Sequence, residues 1–89
     1  MTLDKDSIVA AIKTKVMEIA STLDCDASDL QPDEIIPATG VIDSAGLLEL
    51  LAWFESKYDL HIATEDFTID NLGSMEMMVN FLLKRKGIL

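Results

Sequence analysis

The sequence predicts an all-α domain, a small bundle of three longer helices and one short one. Three observations carry this. Apolar residues recur at helical spacing in three separate stretches, and no run alternates convincingly at period two. Capping residues and glycine or proline punctuation fall between those stretches, where helices should start and stop. At 89 residues the chain is long enough for one domain and one core, so residues 1–89 are expected to form a single unit.

Helix I is expected from about Lys5 to Thr22. Ile8, Ile12, Val16, Ile19 and Leu23 form its apolar stripe, and Asp4 or Asp6 suits its N-terminus. A long connection follows from Asp24 to Asp43. Pro32, Pro37 and Gly40 argue against one continuous helix there, while Leu30, Ile35, Ile36, Val41 and Ile42 can pin it to the core. Helix II is expected from Ser44 to Tyr58 with Asp43 as N-cap. Its buried face is read as Leu47, Leu50, Leu51, Phe54 and Tyr58, leaving Leu48, Glu49, Ala52 and Trp53 directed away from that face.

Thr64-Glu65-Asp66-Phe67 reads as the cap and first turn of short helix III, with Ile69 and Leu72 to bury. Gly73 ends it, and Ser74 caps helix IV, about Met75 to Lys86. Met75, Met78, Val79 and Leu82 make the stripe of helix IV, with Phe81 at its flank. Lys84, Arg85 and Lys86 complement its negative end and Gly87 stops it. The methionines, Met17 among them, are expected as core filler.

The formal net charge is −9. It is uneven: from Leu23 to Met78 there are thirteen Asp and Glu against one basic residue, Lys57. Such a surface repels nucleic acid and anionic lipid and favours partners with basic docking patches. The single cysteine, Cys25, leaves no internal disulfide, which fits a reducing cytoplasm; a partly buried structural role is expected for it. No stretch approaches the roughly 18 apolar residues of a membrane span. The opening Met-Thr-Leu-Asp-Lys-Asp has no apolar run suited to a signal peptide.

The segment richest in chemistry is Gly40 to Leu50, Gly-Val-Ile-Asp-Ser-Ala-Gly-Leu-Leu-Glu-Leu. It sets Ser44 at the head of a helix, with a primary hydroxyl among unsatisfied N–H donors that favour a phosphate. Asp43 is suited to capping and to helping hold the metal that accompanies a pyrophosphate-containing donor. No general base for Ser44 is evident. A small hydrolase needs one, whereas a serine modified by another enzyme does not. His61 is the only histidine and is placed in the loop after helix II. With one histidine and one cysteine, no zinc site or Cys-His pair assembles, and no metal site of the protein's own is expected. Asp24, Asp26 and Ser28 do not open a calcium loop, because Asp29 and Ile35 stand where glycine and glutamate are required.

Gly40-Val41-Ile42-Asp43-Ser44 followed by Leu48-Glu49-Leu50 resembles the Gly-x-x-Asp-Ser-Leu-x-x-x-Glu-Leu pattern of acyl carrier proteins and their peptidyl and aryl relatives. The likeness in element order covers nearly the whole chain. It implies a right-handed four-helix bundle that is not itself an enzyme. It also implies a 4′-phosphopantetheine arm moved from coenzyme A to Ser44 by a phosphopantetheinyl transferase with magnesium, Asp43 being the adjacent acidic residue. The implied cargo is an acyl or aminoacyl thioester. An acyl-loading ligase or acyltransferase would load it, and downstream enzymes of lipid, polyketide or other specialised biosynthesis would receive it. Glu49 matches the acidic helix II position that meets basic partner residues, and Leu48 and Ala52 match apolar partner contacts. A monomer is expected.

Two residues depart from the pattern. Ala45 replaces the usual leucine after the serine, and Gly46 lies inside the first turn, where glycine costs up to about 1 kcal/mol relative to alanine. Small residues beside Ser44 would let a partner approach closely. Trp53 lies outside the buried stripe of helix II, where it either packs against a neighbouring loop or makes a further partner contact; with the two small residues it indicates a specialised carrier rather than the general fatty-acid one. The alternative is an unmodified acidic helical adaptor that binds partners through helix II.

Overall fold

The computed structural model describes residues 4–87. Its elements are α1 (Lys5–Thr22), α2 (Ile36–Thr39), α3 (Ser44–Lys57), a 3₁₀ turn (Thr64–Asp66), α4 (Ile69–Leu72) and α5 (Met75–Arg85). All are helical; no strand occurs among the described residues. The long helices α1, α3 and α5 enclose the core, with α1 packing against both α3 and α5 and α4 against α5.

The expected stripes supply that core. Ile8, Ile12, Val16 and Ile19 from α1 meet Leu50, Leu51 and Phe54 from α3 and Met75, Met78, Val79 and Leu82 from α5. Leu23 does not join them. Helix α1 ends at Thr22, and Leu23, its C-cap, is 40 % exposed because the chain turns away there. Met17 is likewise exposed, on the outer face of α1, so it is not core filler. Asp24 and Asp59 follow the ends of α1 and α3 with φ of +58° and +49°, a left-handed conformation that aspartate tolerates.

The connection after α1 is irregular but anchored. Ala27, Leu30, Ile36 and Ile42 are buried, and Ile35 and Val41 half-buried. Two backbone bonds tie the connection to the α4–α5 junction: Ile36 N–H donates to the Gly73 carbonyl at 2.7 Å, and Glu76 N–H to the Pro32 carbonyl at 2.9 Å. Within it lies α2, one helical turn absent from the sequence reading. Pro37 falls in its first turn, where no N–H is needed, and Gly40 at φ +74° closes it. The proline and glycine that bar a long helix therefore bracket a short one.

Helix III is not one piece. Thr64–Asp66 forms a 3₁₀ turn, and Thr68 is extended (φ −129°, ψ 158°), so α4 starts afresh at Ile69. The cap is Thr68 rather than Thr64: its hydroxyl accepts from Asn71 N–H at 3.2 Å. Ile69 is 56 % exposed and Leu72 alone of the pair is buried. Ser74 caps α5 as expected, accepting from Met77 N–H at 3.1 Å. At the other end of α5, Arg85 pairs with Asp66, donates to the His61 carbonyl at 3.3 Å and lies over the Phe81 ring. Lys86 Nζ donates to the Asp59 carbonyl at 3.0 Å. These basic side chains thus staple the loop that follows α3.

Tyr58 sits edge-on to Phe54 (centroids 5.4 Å apart) and Trp53 (6.4 Å), and burial raises its pKa above the ordinary 10.0. The folded state therefore holds the phenolic proton more tightly than the unfolded chain. This contribution is intact below pH 10 and is lost as pH rises through the folded value. Urea midpoints followed by Trp53 fluorescence should be flat in this respect up to about pH 9 and fall beyond it, and Tyr58→Phe should blunt that fall.

Candidate functional site

The start of α3 is fixed by Asp43. Its carboxylate accepts from Gly46 N–H at 2.7 Å and its carbonyl from Leu47 N–H at 2.9 Å. Ser44 is the first residue of the helix and is exposed. Its hydroxyl, and the N–H groups of Ser44 and Ala45, take no protein partner among the described residues. This leaves a free primary hydroxyl and two free donors at the positive end of a 14-residue helix.

Two clefts flank Ser44. On one side Pro37, Ile42, Asp43, Ser44 and Leu47 line a cleft of ≈ 250 Å³. Pro37 and Leu47 also line a neighbouring apolar cleft of ≈ 190 Å³, walled by Leu48, Leu51, Phe67, Ile69 and Leu72. Leu47, read from the sequence as core, is half-buried here because the short α2 leaves it uncovered between the two. On the α1 side, Leu23, Asp43, Ala45 and Glu49 border a cleft of ≈ 200 Å³. Among the described residues, no His, Cys, Lys or Arg lines any of the three. His61 is exposed beside the Arg85 staple, and Cys25 is half-buried with its thiol 3.6 Å from the Leu23 carbonyl.

A profile described as "Phosphopantetheine attachment site" matches residues 16–79. The chain belongs to the phosphopantetheine carrier protein family. Members carry phosphopantetheine covalently on a serine, and the matched span holds Ser21, Ser28, Ser44, Ser56 and Ser74. Curated relatives include the D-alanyl carrier proteins of Streptococcus thermophilus (strain LMD-9) and Streptococcus sanguinis (strain SK36). Both are 32 % identical over 69 residues, covering 76 % of this chain and 86 % of theirs. That of Streptococcus gordonii is 30 % identical over the same span. No solved structure matches the chain.

The carrier's serines are not equivalent. Ser74 is 1 % exposed and its oxygen is committed to the α5 cap. Ser21 and Ser56 lie in the last turns of α1 and α3, at negative helix ends. Ser28 N–H donates to the Asp26 carboxylate at 2.9 Å, and hydrogen bonding from Ser28 lowers the Asp26 pKa. Within the matched span Ser44 alone combines exposure with the head of a long helix.

Of the residues expected to meet partners, Ala45, Leu48, Glu49 and Ala52 are exposed and follow i, i+3, i+4, i+7 spacing, forming one strip beside Ser44. Trp53 leaves that strip: half-buried, it faces α1 across a cleft shared with Ala11, Thr14, Lys15 and Glu18. Gly46 is also misplaced by the sequence reading. It is buried and packed under α1, so only Ala45 opens room for a partner. Phe67 (39 % exposed) and Ile69 extend the apolar surface next to Leu48. Sequence reasoning missed them because it enclosed them in a continuous helix III.

Proposed function

We propose that this protein carries an aminoacyl group, D-alanyl or one of similar size, as a thioester on a 4′-phosphopantetheine arm at Ser44. The observation that carries this reading is Ser44 itself, exposed and unbonded at the head of α3 inside the matched span. The cargo class rests on the names of the streptococcal relatives. The residues present fit the arm. The Ser44 hydroxyl is free, two N–H groups can face its phosphate, and the Pro37–Leu47 cleft offers apolar cover beside it.

In modification, the Ser44 hydroxyl gives its proton to the transferase and its oxygen attacks the pantetheine-side phosphorus of the coenzyme A pyrophosphate: a phosphodiester P–O bond to Ser44 forms, the phosphoanhydride P–O bond breaks, and adenosine 3′,5′-bisphosphate leaves. Asp43 holds the helix start rigid and offers negative charge next to the incoming magnesium-bound donor. Once attached, the arm supplies a thiol that bears the acyl group as an activated, transferable thioester. The protein is then a substrate rather than an enzyme: Ser44 never attacks the cargo. Tethering raises the effective concentration of the thioester at each partner. Those partners are a phosphopantetheinyl transferase, a loading ligase or acyltransferase, and a receiving enzyme. Each would bring basic residues to the Ala45–Leu48–Glu49–Ala52 strip. The cytoplasm is the compartment this reading assigns, supported by a single cysteine without a disulfide partner among the described residues.

The test is intact mass. Protein incubated with coenzyme A, magnesium and a broad-specificity phosphopantetheinyl transferase should gain one arm, mapped to the peptide containing Ser44. No gain, or a gain on another serine, refutes the assignment. The arm-bearing form, its thiol free, should then accept D-alanine from an adenylate-forming ligase in preference to a long-chain fatty acid.

A further inference from the structure

Gly46 is buried at the point where three parts of the chain converge. A Cβ built there would lie 3.0 Å from Ile19 Cγ2 on α1, 3.2 Å from Ile42 Cβ and 3.2 Å from Asp43 Oδ1. The same Asp43 oxygen accepts the Gly46 N–H at 2.7 Å. Ile19 is 3 % and Ile42 5 % exposed, and the crowding atoms are a β-branched methyl and a Cβ, neither at the end of a flexible chain. The Asp43 side chain is the one neighbour free to yield, because it is exposed.

We infer that Gly46 is a positioning residue for modification of Ser44: by lacking a side chain it lets the Asp43 carboxylate fold under the helix start and stay aimed beside the serine. The inference rests on Ser44 being the attachment site. Asp43 lines the clefts on both sides of Ser44, so its side-chain rotamer sets the charge that a modifying enzyme meets there. A methyl at 46 obliges its neighbours to give by a few tenths of an ångström, and with Ile19 and Ile42 held in the core the Asp43 carboxylate is the group that shifts, lengthening its bond to the residue 46 N–H. The stability consequences oppose one another: alanine is the better helix former, while the cap is weakened. The chemical consequence is uncompensated.

The experiment is a double-mutant cycle on transferase kinetics. Gly46→Ala should lower kcat at least fivefold with KM within twofold, while the thermal midpoint moves by no more than about 5 °C. In an Asp43→Ala background the same substitution should change kcat less than twofold, since the group it displaces is gone. Ile19→Leu, which removes the crowding methyl, should restore at least half of the Gly46→Ala loss. It also provides a folded variant if Gly46→Ala alone unfolds. Equal losses in both backgrounds, or an unchanged kcat in a folded Gly46→Ala protein, overturn the inference while leaving the attachment site standing. Failure of the wild type to be modified overturns both.

Discussion

Replacing Ser44 with alanine will abolish all mass gain from coenzyme A and a phosphopantetheinyl transferase, and will leave the fold intact. The two halves of this expectation come from the same geometry. The Ser44 hydroxyl bonds nothing among the described residues, and its side chain is exposed, so its removal breaks no hydrogen bond among them. Alanine is a strong helix former at a position whose N–H has no acceptor in either case. The stability change should stay within about 0.5 kcal/mol, as for other surface positions free of special contacts. The cap survives, because it runs from Gly46 N–H to Asp43 and not through Ser44. Intact mass and a urea melt on the same preparation check both halves. A persisting gain, relocated to Ser21 or Ser56, would refute the assignment of the serine. An unmodified adaptor would behave alike with and without Ser44.

Phe54→Ala will have the opposite profile. Phe54 is 0 % exposed in the last turn of α3 and sits edge-on against Tyr58. Truncating a buried phenylalanine costs about 3–5 kcal/mol. A chain of this length has roughly 5–10 kcal/mol to lose. The variant should therefore lose at least about a third of its stability, with the urea midpoint lowered by the same share and the helical signal lost at a correspondingly lower temperature. Leu48→Ala, six residues earlier on the same helix but 64 % exposed, should move the midpoint very little. A Phe54→Ala protein with a near-native midpoint would contradict the packing described for α3.

Long amphipathic elements were the legible part of the chain. The 3.6-residue spacing of Ile8, Ile12, Val16 and Ile19, and of Met75, Met78, Val79 and Leu82, survives into the core because each helix has one face to bury. Ser44 and Asp43 were legible for a related reason: capping is local, and the side chain and the N–H it meets are three residues apart. What escaped was decided between distant segments. Gly46 reads as a flaw in a helix until Ile19, 27 positions earlier, is seen beside it. The break at Thr68 depends on an extended backbone that no period announces, and it alone exposes Ile69 next to Leu48. The turn at Ile36–Thr39 is too short for periodicity, and its proline and glycine mark boundaries whose contents only packing decides.

The staple made by Arg85 and Lys86 also shapes how the molecule meets others in solution. It gathers cations at Asp59, His61 and Asp66, just past the end of α3, while Asp43 and Glu49 sit by Ser44 at its beginning. A 14-residue helix separates the two groups by about 20 Å. That spacing exceeds the roughly 8 Å over which salt screens charge at physiological strength. The two ends of α3 therefore present their charge to a neighbouring surface independently of one another, and the serine end is the one whose carboxylates have no cation beside them among the described residues.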